Sequence, residues 1–331
     1  VLVIDEAQDM DADEFALIQS LMKNNEEMRV IAVGDDDQNI FQFRGADSKH
    51  LQQLIDEFNA TKYELTDNYR SCGSIVSFAN SFVQQIPNRM KTTPINAVNK
   101  ELGLVELTLH NGKNLEIPMV NNLCKKKHPG SVGVLTRTNE EALLVIGLLK
   151  RFGIRSQLIQ SVEGFRFSDL AEIRYFIKNL ELTNSTNAII NGSNWEKAKQ
   201  KTFLTYERST MLPTIRYAIE EFEKTNSTKY KNDFLEFLYE SNLEDFHQQE
   251  TGCVTISTIH KSKGREFDEV YLLLNKSSIK TDEEKRLLYV AFTRAKKNLY
   301  IHSTFDLLVP QLNPQIIKNK DSFVYPEPNE I

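Results

Sequence analysis

The sequence predicts an α/β protein built on open, doubly wound parallel sheets, and three patterns carry that expectation. VLVID at the start and MRVIAVGD at 28–35 are continuous apolar runs of the kind buried on both faces of a parallel sheet. Between such runs, apolar residues recur at three- and four-residue spacing, the period of a helix with one buried face. The two kinds of segment alternate through most of the chain, as helical crossovers between parallel strands require.

In chain order, VLVID is followed by a helix carrying Phe15, Ile18 and Met22 on one face, then by the strand MRVIAVGD. After GADS, Leu51, Leu54, Ile55 and Phe58 repeat the helical spacing. YELTDNYR reads as a strand and turn, and Ile75, Phe78, Ala79, Phe82 and Ile86 mark another helix. LVELTLH and VGVLTR are strands. A helix through LLVIGLLK stops at Gly153, a residue suited to the left-handed turn that ends helices. The alternation breaks after about Leu180, where NLELTNSTNAIINGSN is polar and loop-like. From Trp195 to about Gln249 the spacing is helical only, as in IRYAIEEFEK and DFLEFLYES. Strands return with VTISTIH and VYLLL, followed by a helix over EEKRLLYVAFTRA and the strand NLYIH. The closing stretch NPQIIKNKDSFVYPEPNEI looks like a tail or linker.

At 331 residues the chain has room for two or three domains with real cores. Its net charge of −6 provides no overall basic field, so a nucleic-acid site must be a local groove. Cys72, Cys124 and Cys253 are far apart and form neither a disulfide framework nor a zinc pattern, which points to a reducing cytoplasm. No apolar run approaches membrane-spanning length, and no membrane partner is expected. The chain begins inside a strand without an initiator Met, as a piece of a longer polypeptide would.

Two strands run into acidic residues. In VLVIDEAQD, Asp5 is placed to hold Mg²⁺ and Glu6 to position an attacking water, the pairing that phosphoryl-transfer sites use. In VGDDDQNIFQFRGAD, Gln38 is a neutral two-way hydrogen-bonder suited to sensing a γ-phosphate. Phe41 and Phe43 are two apart and share a face if the backbone is extended. Aromatics on one face of a groove stack on bases, whereas the plainer reading buries both rings in the core.

Three further blocks, LTDNYRS at 65–71, VTISTIHKSKGREFDEV at 254–270 and EEKRLLYVAFTRAKKNL at 283–299, complete a set. With them the sequence resembles the UvrD/Rep-like branch of superfamily 1 DNA helicases. DEAQD looks like the family's second motif, GDDDQNIFQFRGA the third, NYRS the fourth, TIHKSKGREF the fifth and LLYVAFTRA the sixth. GFRFSDLAEIRYFIKNL resembles the stretch before the family's helical insertion.

The resemblance implies RecA-like motor domains and a set of roles. Asp5 is the metal ligand and Glu6 the general base. Gln38, Arg70 and Arg294 reach the γ-phosphate, Tyr69 stacks on adenine, and Glu266 bonds the ribose. Phe41 and Phe43 stack on bases, where the family usually has Tyr and Trp, with Arg44 and His260 on the DNA side. A satisfied buried histidine is the lesser alternative for His260, and Lys263 either contacts DNA phosphates or belongs to a solvated face. Lys125–Lys127 is read as solvated.

The sequence departs from the family where the phosphate loop should be. The single Gly-Lys pair, Gly112-Lys113, precedes Asn and has no glycine five residues before it. The adenine-reading glutamine motif and the first domain's helical insert are also missing, the later insert is short, and Arg265 stands where relatives carry an apolar residue. The expected organisation is therefore half of a first RecA-like domain (1–65), a second one (66–180 and 250–310), a reduced helical insert (181–249) and a tail or linker (311–331). The resemblance implies the motor core of an ATP-dependent 3′-5′ DNA helicase or single-stranded DNA translocase in repair or recombination, inactive alone. An upstream segment or a partner chain would supply the loop. The competing class is a non-catalytic module that binds DNA or a partner, and it leaves Glu6, Gln38, Arg70 and Arg294 without a purpose.

Overall fold

The computed structural model describes residues 1–25, 27–101, 103–112, 114–159, 167–180, 188–209, 211–241, 253–275, 279–305, 307 and 316–321. The chain divides into two compact units, Val1–Leu158 with Thr251–Ile331, and Ile159–Glu250.

The first unit opens with β1 (Leu2–Ile4), α1 (Ala12–Asn24), β2 (Val30–Ala32) and α2 (Lys49–Phe58). β1 and β2 pair in parallel, Val3 opposite Ile31. α1 starts at a capping box in which Asp11 and Glu14 satisfy each other's backbone N–H groups. Phe15, Ile18 and Leu54 from the two helices pack with Ala7 and Met10 into a small core. The other face of the strand pair is bare, with Val3 62% and Ile31 52% exposed.

Next come β3 (Asp67–Asn68), α3 (Gly73–Val83), β4 (Asn96–Ala97), β5 (Leu104–His110), α4 (Glu116–Lys125), β6 (Val132–Thr136), α5 (Asn139–Arg151) and β7 (Ser156–Leu158). YELTDNYR thus yields only the two residues of β3 as strand. α4 carries Pro118 in its first turn, where a missing N–H breaks no helical bond, and its sequence gave little warning of a helix. Gly153 ends α5 at φ +69, the left-handed stop expected of it.

The helical unit holds α6 (Ala171–Asn179), α7 (Gly192–Thr205), α8 (Leu212–Thr225) and α9 (Lys231–Glu240). Its core centres on Trp195, with ring centroids 5.0 Å from both Phe176 and Phe234. Phe167, Ile173 and Phe176 join that core, so α6 belongs to this unit and not to the second motor domain where the sequence had placed it.

The first unit resumes with β8 (Val254–Thr258), β9 (Phe267–Leu274), α10 (Asp282–Phe292), β10 (Ala295–Ser303) and β11 (Ile316–Asp321). Among the described residues the main sheet has seven strands, ordered β11-β5-β10-β9-β6-β8-β7, with every pairing parallel. Residues 316–321, expected within a tail or linker, form its β11 edge beside β5. Along β9, Val270, Leu272 and Leu274 face α3 and α10, while Tyr271 and Leu273 face α4 and α5. Helices on both faces of one parallel sheet make it doubly wound, and its buried strands explain the unbroken apolar runs.

Candidate nucleotide and nucleic-acid site

β1 and β2 end side by side, and their acidic turns are stitched together by Gln8. This fully buried amide donates to Glu6 Oε2 at 2.6 Å and accepts from the Asp35 N–H at 2.8 Å. Gly34 is required there, because a Cβ would lie 2.7 Å from Gln8 Oε1 and 3.1 Å from the Gln8 backbone nitrogen. Glu6 has φ 49 and ψ 38, a left-handed conformation that costs a non-glycine residue free energy and that clusters at functional sites. Asp5 accepts from the Glu6 N–H at 2.9 Å.

Gln38 closes the short 3₁₀ turn Asp36–Gln38 that Asp35 caps. Its Nε2 donates to Asp35 Oδ2 at 2.6 Å, and its Oε1 accepts from an Arg294 terminal nitrogen at 3.0 Å. Arg294 follows α10 and is 2% exposed. Its other hydrogen bonds run to Val290 O, Arg265 O and Thr293 Oγ1, all neutral acceptors. Among the described residues no carboxylate lies at ion-pair distance from it. Burial, reinforced by the nearby Arg70 charge, pushes its pKa down to about 10. A buried guanidinium without a counter-ion costs several kcal/mol in general, and the nearby Glu6 and Asp35 charges oppose the lowering only in part.

Arg70 lies half-exposed, its Nε 2.6 Å from Glu266 Oε2. Lys296 pairs with the other Glu266 oxygen, and Lys296 before all else holds that carboxyl below its usual pKa. Tyr69 is 73% exposed. Asp5, Glu6, Asp35, Gln38, Arg70 and Thr293 line one cleft of about 920 Å³, a volume within the range of small-molecule sites.

Phe41, Phe43, Arg44 and His260 form a second cluster. The chain is not extended here: Phe41 has φ −111 and ψ 25 and caps a 3₁₀ turn over Gln42–Arg44. The two rings still lie 6.1 Å apart, because a tight turn also brings alternate side chains together. Phe43 meets the His260 ring edge-on at 5.7 Å, and the Arg44 guanidinium sits 5.4 and 5.6 Å from the two phenyl centroids. Phe43 is 63% exposed, whereas Phe41 packs partly against the main core. Burial, then Arg137 and Arg44, lowers the His260 pKa and keeps its ring neutral.

Lys263, expected on DNA phosphates, is turned inward. Its ammonium pairs with Asp9 and lies 3.4 Å from Glu6, donates to Gln38 O at 3.2 Å, and sits 5.1 Å from the Phe41 ring centroid. Sequence reasoning also missed Gln8, Arg89, Lys91 and Lys296. Gln8 and Lys296 lie inside the motif blocks but drew no role there, and Arg89 and Lys91 meet carboxylates distant in the chain.

Comparison with known families bears on this arrangement. Residues 63–191 and 189–305 match the UvrD-like helicase C-terminal domain, and residues 1–59 match the UvrD/REP helicase N-terminal domain. The chain belongs to the UvrD-like helicase family. ATP-dependent DNA helicase PcrA of Bacillus subtilis (strain 168) is 22% identical to this UvrD-like chain, over 90% of the chain and 54% of PcrA. DNA helicase II of Rickettsia typhi is 25% identical, over 91% and 59%. Gabija protein GajB of Bacillus cereus (strain VD045) is 25% identical, over 91% and 63%. The UvrD-like chain thus spans between about half and two thirds of the length of these relatives. The PcrA alignment runs over 406 residues and the GajB alignment over 329, so PcrA carries insertions that this 331-residue chain and GajB largely lack.

Proposed function

We propose that this chain is the motor-core part of an ATP-dependent 3′-5′ DNA helicase or single-stranded DNA translocase acting in repair or recombination in the cytoplasm. The observation that carries the reading is Arg294: a buried cation without a carboxylate partner among the described residues, near Arg70 and bonded to Gln38, which with Arg70 and Glu6 lines one cleft. Asp5, a hard oxygen donor on the rim of that cleft, fits Mg²⁺, which would offset phosphate charge there.

Glu6 takes the proton of the attacking water. Gln38 reads the terminal phosphate and passes its presence to Arg294 and to the Phe41 turn three residues on. Arg70 leaves Glu266 for the phosphoryl group, which frees that carboxylate to accept from the ribose hydroxyls, with Tyr69 stacked on adenine. Phe41, Phe43, Arg44 and His260 carry single-stranded DNA, stacking supplying most of the affinity. Lys263 reaches DNA phosphates only by leaving Glu6 and Asp9.

A phosphate loop from an upstream segment or a partner chain completes the cleft and covers the bare face of β1 and β2. The helical unit, Ile159–Glu250, is a reduced second-domain insertion. Steady-state phosphate release in the presence of single-stranded DNA tests this reading. The chain alone stays inactive; joined to a loop-bearing half it turns over ATP, and Glu6→Gln abolishes that activity. DNA-stimulated turnover by the chain alone, lost in Glu6→Gln, would contradict the reading.

A further inference from the structure

Asp35, Asp36 and Asp37 hold carboxylate oxygens within 4.8 Å of one another, a crowding that needs compensating positive charge. The compensation comes from the loop after α3, in reverse order. Arg89 forms a two-pronged pair with Asp37, 2.8 and 2.7 Å. The Met90 N–H donates to Asp36 Oδ2 at 2.7 Å. Lys91 Nζ lies 2.7 Å from Asp35 Oδ1 and 3.6 Å from Asp37 Oδ2.

The loop is itself held. Asn88 turns the chain at φ 54, Lys62 donates to Met90 O, and Glu64 accepts from the Thr92 and Thr93 N–H groups. From the other side Arg286 of α10 donates to Asp36 O at 3.1 Å. Burial works against the Lys91 charge, but Asp35, Asp37 and Asp36 outweigh it and raise its pKa, so the ammonium stays charged.

Asp35 has a second task. One of its oxygens takes Lys91 and the other takes the Gln38 amide, whose carbonyl end faces Arg294. A continuous line of contacts therefore runs Lys91, Asp35, Gln38, Arg294. We propose that Lys91, supported by Arg89, is a positioning residue: it fixes the Asp35 carboxylate, and through it the orientation of the Gln38 amide toward Arg294 and the reacting phosphate. The proposal rests on the reading of Gln38 as the γ-phosphate sensor. Without the ammonium, Asp35 is repelled by Asp36 and Asp37 and rotates away, and Gln38 loses the acceptor that sets which end of its amide faces Arg294. The consequence is kinetic. α3 has Arg70 just before its first turn and this clamp in the loop after its last, so one helix links the exposed arginine to the sensor.

The test is a double-mutant cycle on DNA-stimulated ATP hydrolysis by the chain joined to its loop-bearing half. Lys91→Met is expected to lower kcat by about 10²-fold, the scale of a misplaced reacting group, with a much smaller change in KM for ATP. Lys91→Gln follows the same pattern and Lys91→Arg recovers most of the rate. In a Gln38→Ala background, Lys91→Met adds less than about 3-fold, because both changes remove one unit. On the 331-residue chain without nucleotide, the Gln38 side-chain amide should give two separate, slowly exchanging proton resonances. In Lys91→Met both should move to the positions of an exposed glutamine amide and exchange with water faster, and in Lys91→Arg both should stay in place. A full additive loss in the Gln38→Ala background, or an unaltered Gln38 amide in Lys91→Met, overturns the clamp. Gln38→Ala with undiminished kcat overturns instead the reading of Gln38 on which the clamp rests.

Discussion

Replacing Phe43 by Ala separates a DNA-stacking platform from a core residue by magnitude. A fully buried aromatic truncated to Ala costs about 3–5 kcal/mol of stability. Phe43 is 63% exposed. Full burial of such a side chain stabilises by roughly 1.5–3 kcal/mol, so the third of it that is covered puts at most about 1 kcal/mol at risk. A stacked base is worth about 1–3 kcal/mol, or about 5- to 150-fold in affinity. Phe43→Ala should therefore melt within a few degrees of the unaltered protein and bind single-stranded DNA 5- to 150-fold more weakly, the factor that about 1–3 kcal/mol implies. Base preference should stay small, and the salt dependence should barely move because stacking releases no counterions. The assay is thermal melting together with DNA titration at two salt concentrations, using the chain joined to its loop-bearing half. A variant that melts far lower yet binds DNA normally would refute the reasoning and return the ring to a packing role.

Two further predictions concern stability. Arg89→Ala strips the two-pronged partner from Asp37, a fully buried carboxylate left with Lys91 at 3.6 Å, and should cost about 3–5 kcal/mol in denaturant titration; the double change Arg89→Met with Asp37→Leu should cost less than Arg89→Ala. His128 donates from one ring nitrogen to Glu269 and from the other to Leu123 O, 2.8 and 2.9 Å, and the Glu269 bond raises its pKa against the opposing effect of burial. A pKa raised in the folded state contributes stability that is complete below the unfolded value of about 6.5 and is lost as pH rises through the folded value. Melting temperature should therefore fall as pH rises above about 6.5, and His128→Gln should flatten that slope; an identical pH profile in the variant would exclude His128 as its source.

What the sequence discloses and what it hides follows from range. Periodicity within a few residues is enough for β1, β2, α1, α2, α3, α5 and the buried strands of the main sheet, because one face or both faces of each enter a core. Gln38 and Arg294 were singled out by motif order, and the two meet across 256 positions of sequence. Gln8, Arg89 and Lys91 were hidden, since what matters about them is the distant carboxylate or amide they hold. Arg89, for example, finds Asp37 52 positions away. The pairing of Lys263 with Asp9 and Glu6 was hidden for the same reason: a lysine in a basic run looks solvated or phosphate-bound until those two carboxylates are seen beside it. β11 was missed because a polar edge strand needs only a backbone partner.

Arg294 is buried with no carboxylate at ion-pair distance among the described residues, and the proposal is that a transferring phosphoryl group supplies its counter-ion. The most direct measurement is the steady-state kcat for DNA-stimulated ATP hydrolysis by Arg294→Ala, in the chain joined to its loop-bearing half, alongside its DNA affinity without nucleotide. The account predicts a fall in kcat of roughly 10³-fold or more, the scale of an arginine finger, with DNA affinity nearly unchanged. Near-normal turnover in a folded Arg294→Ala protein would contradict it.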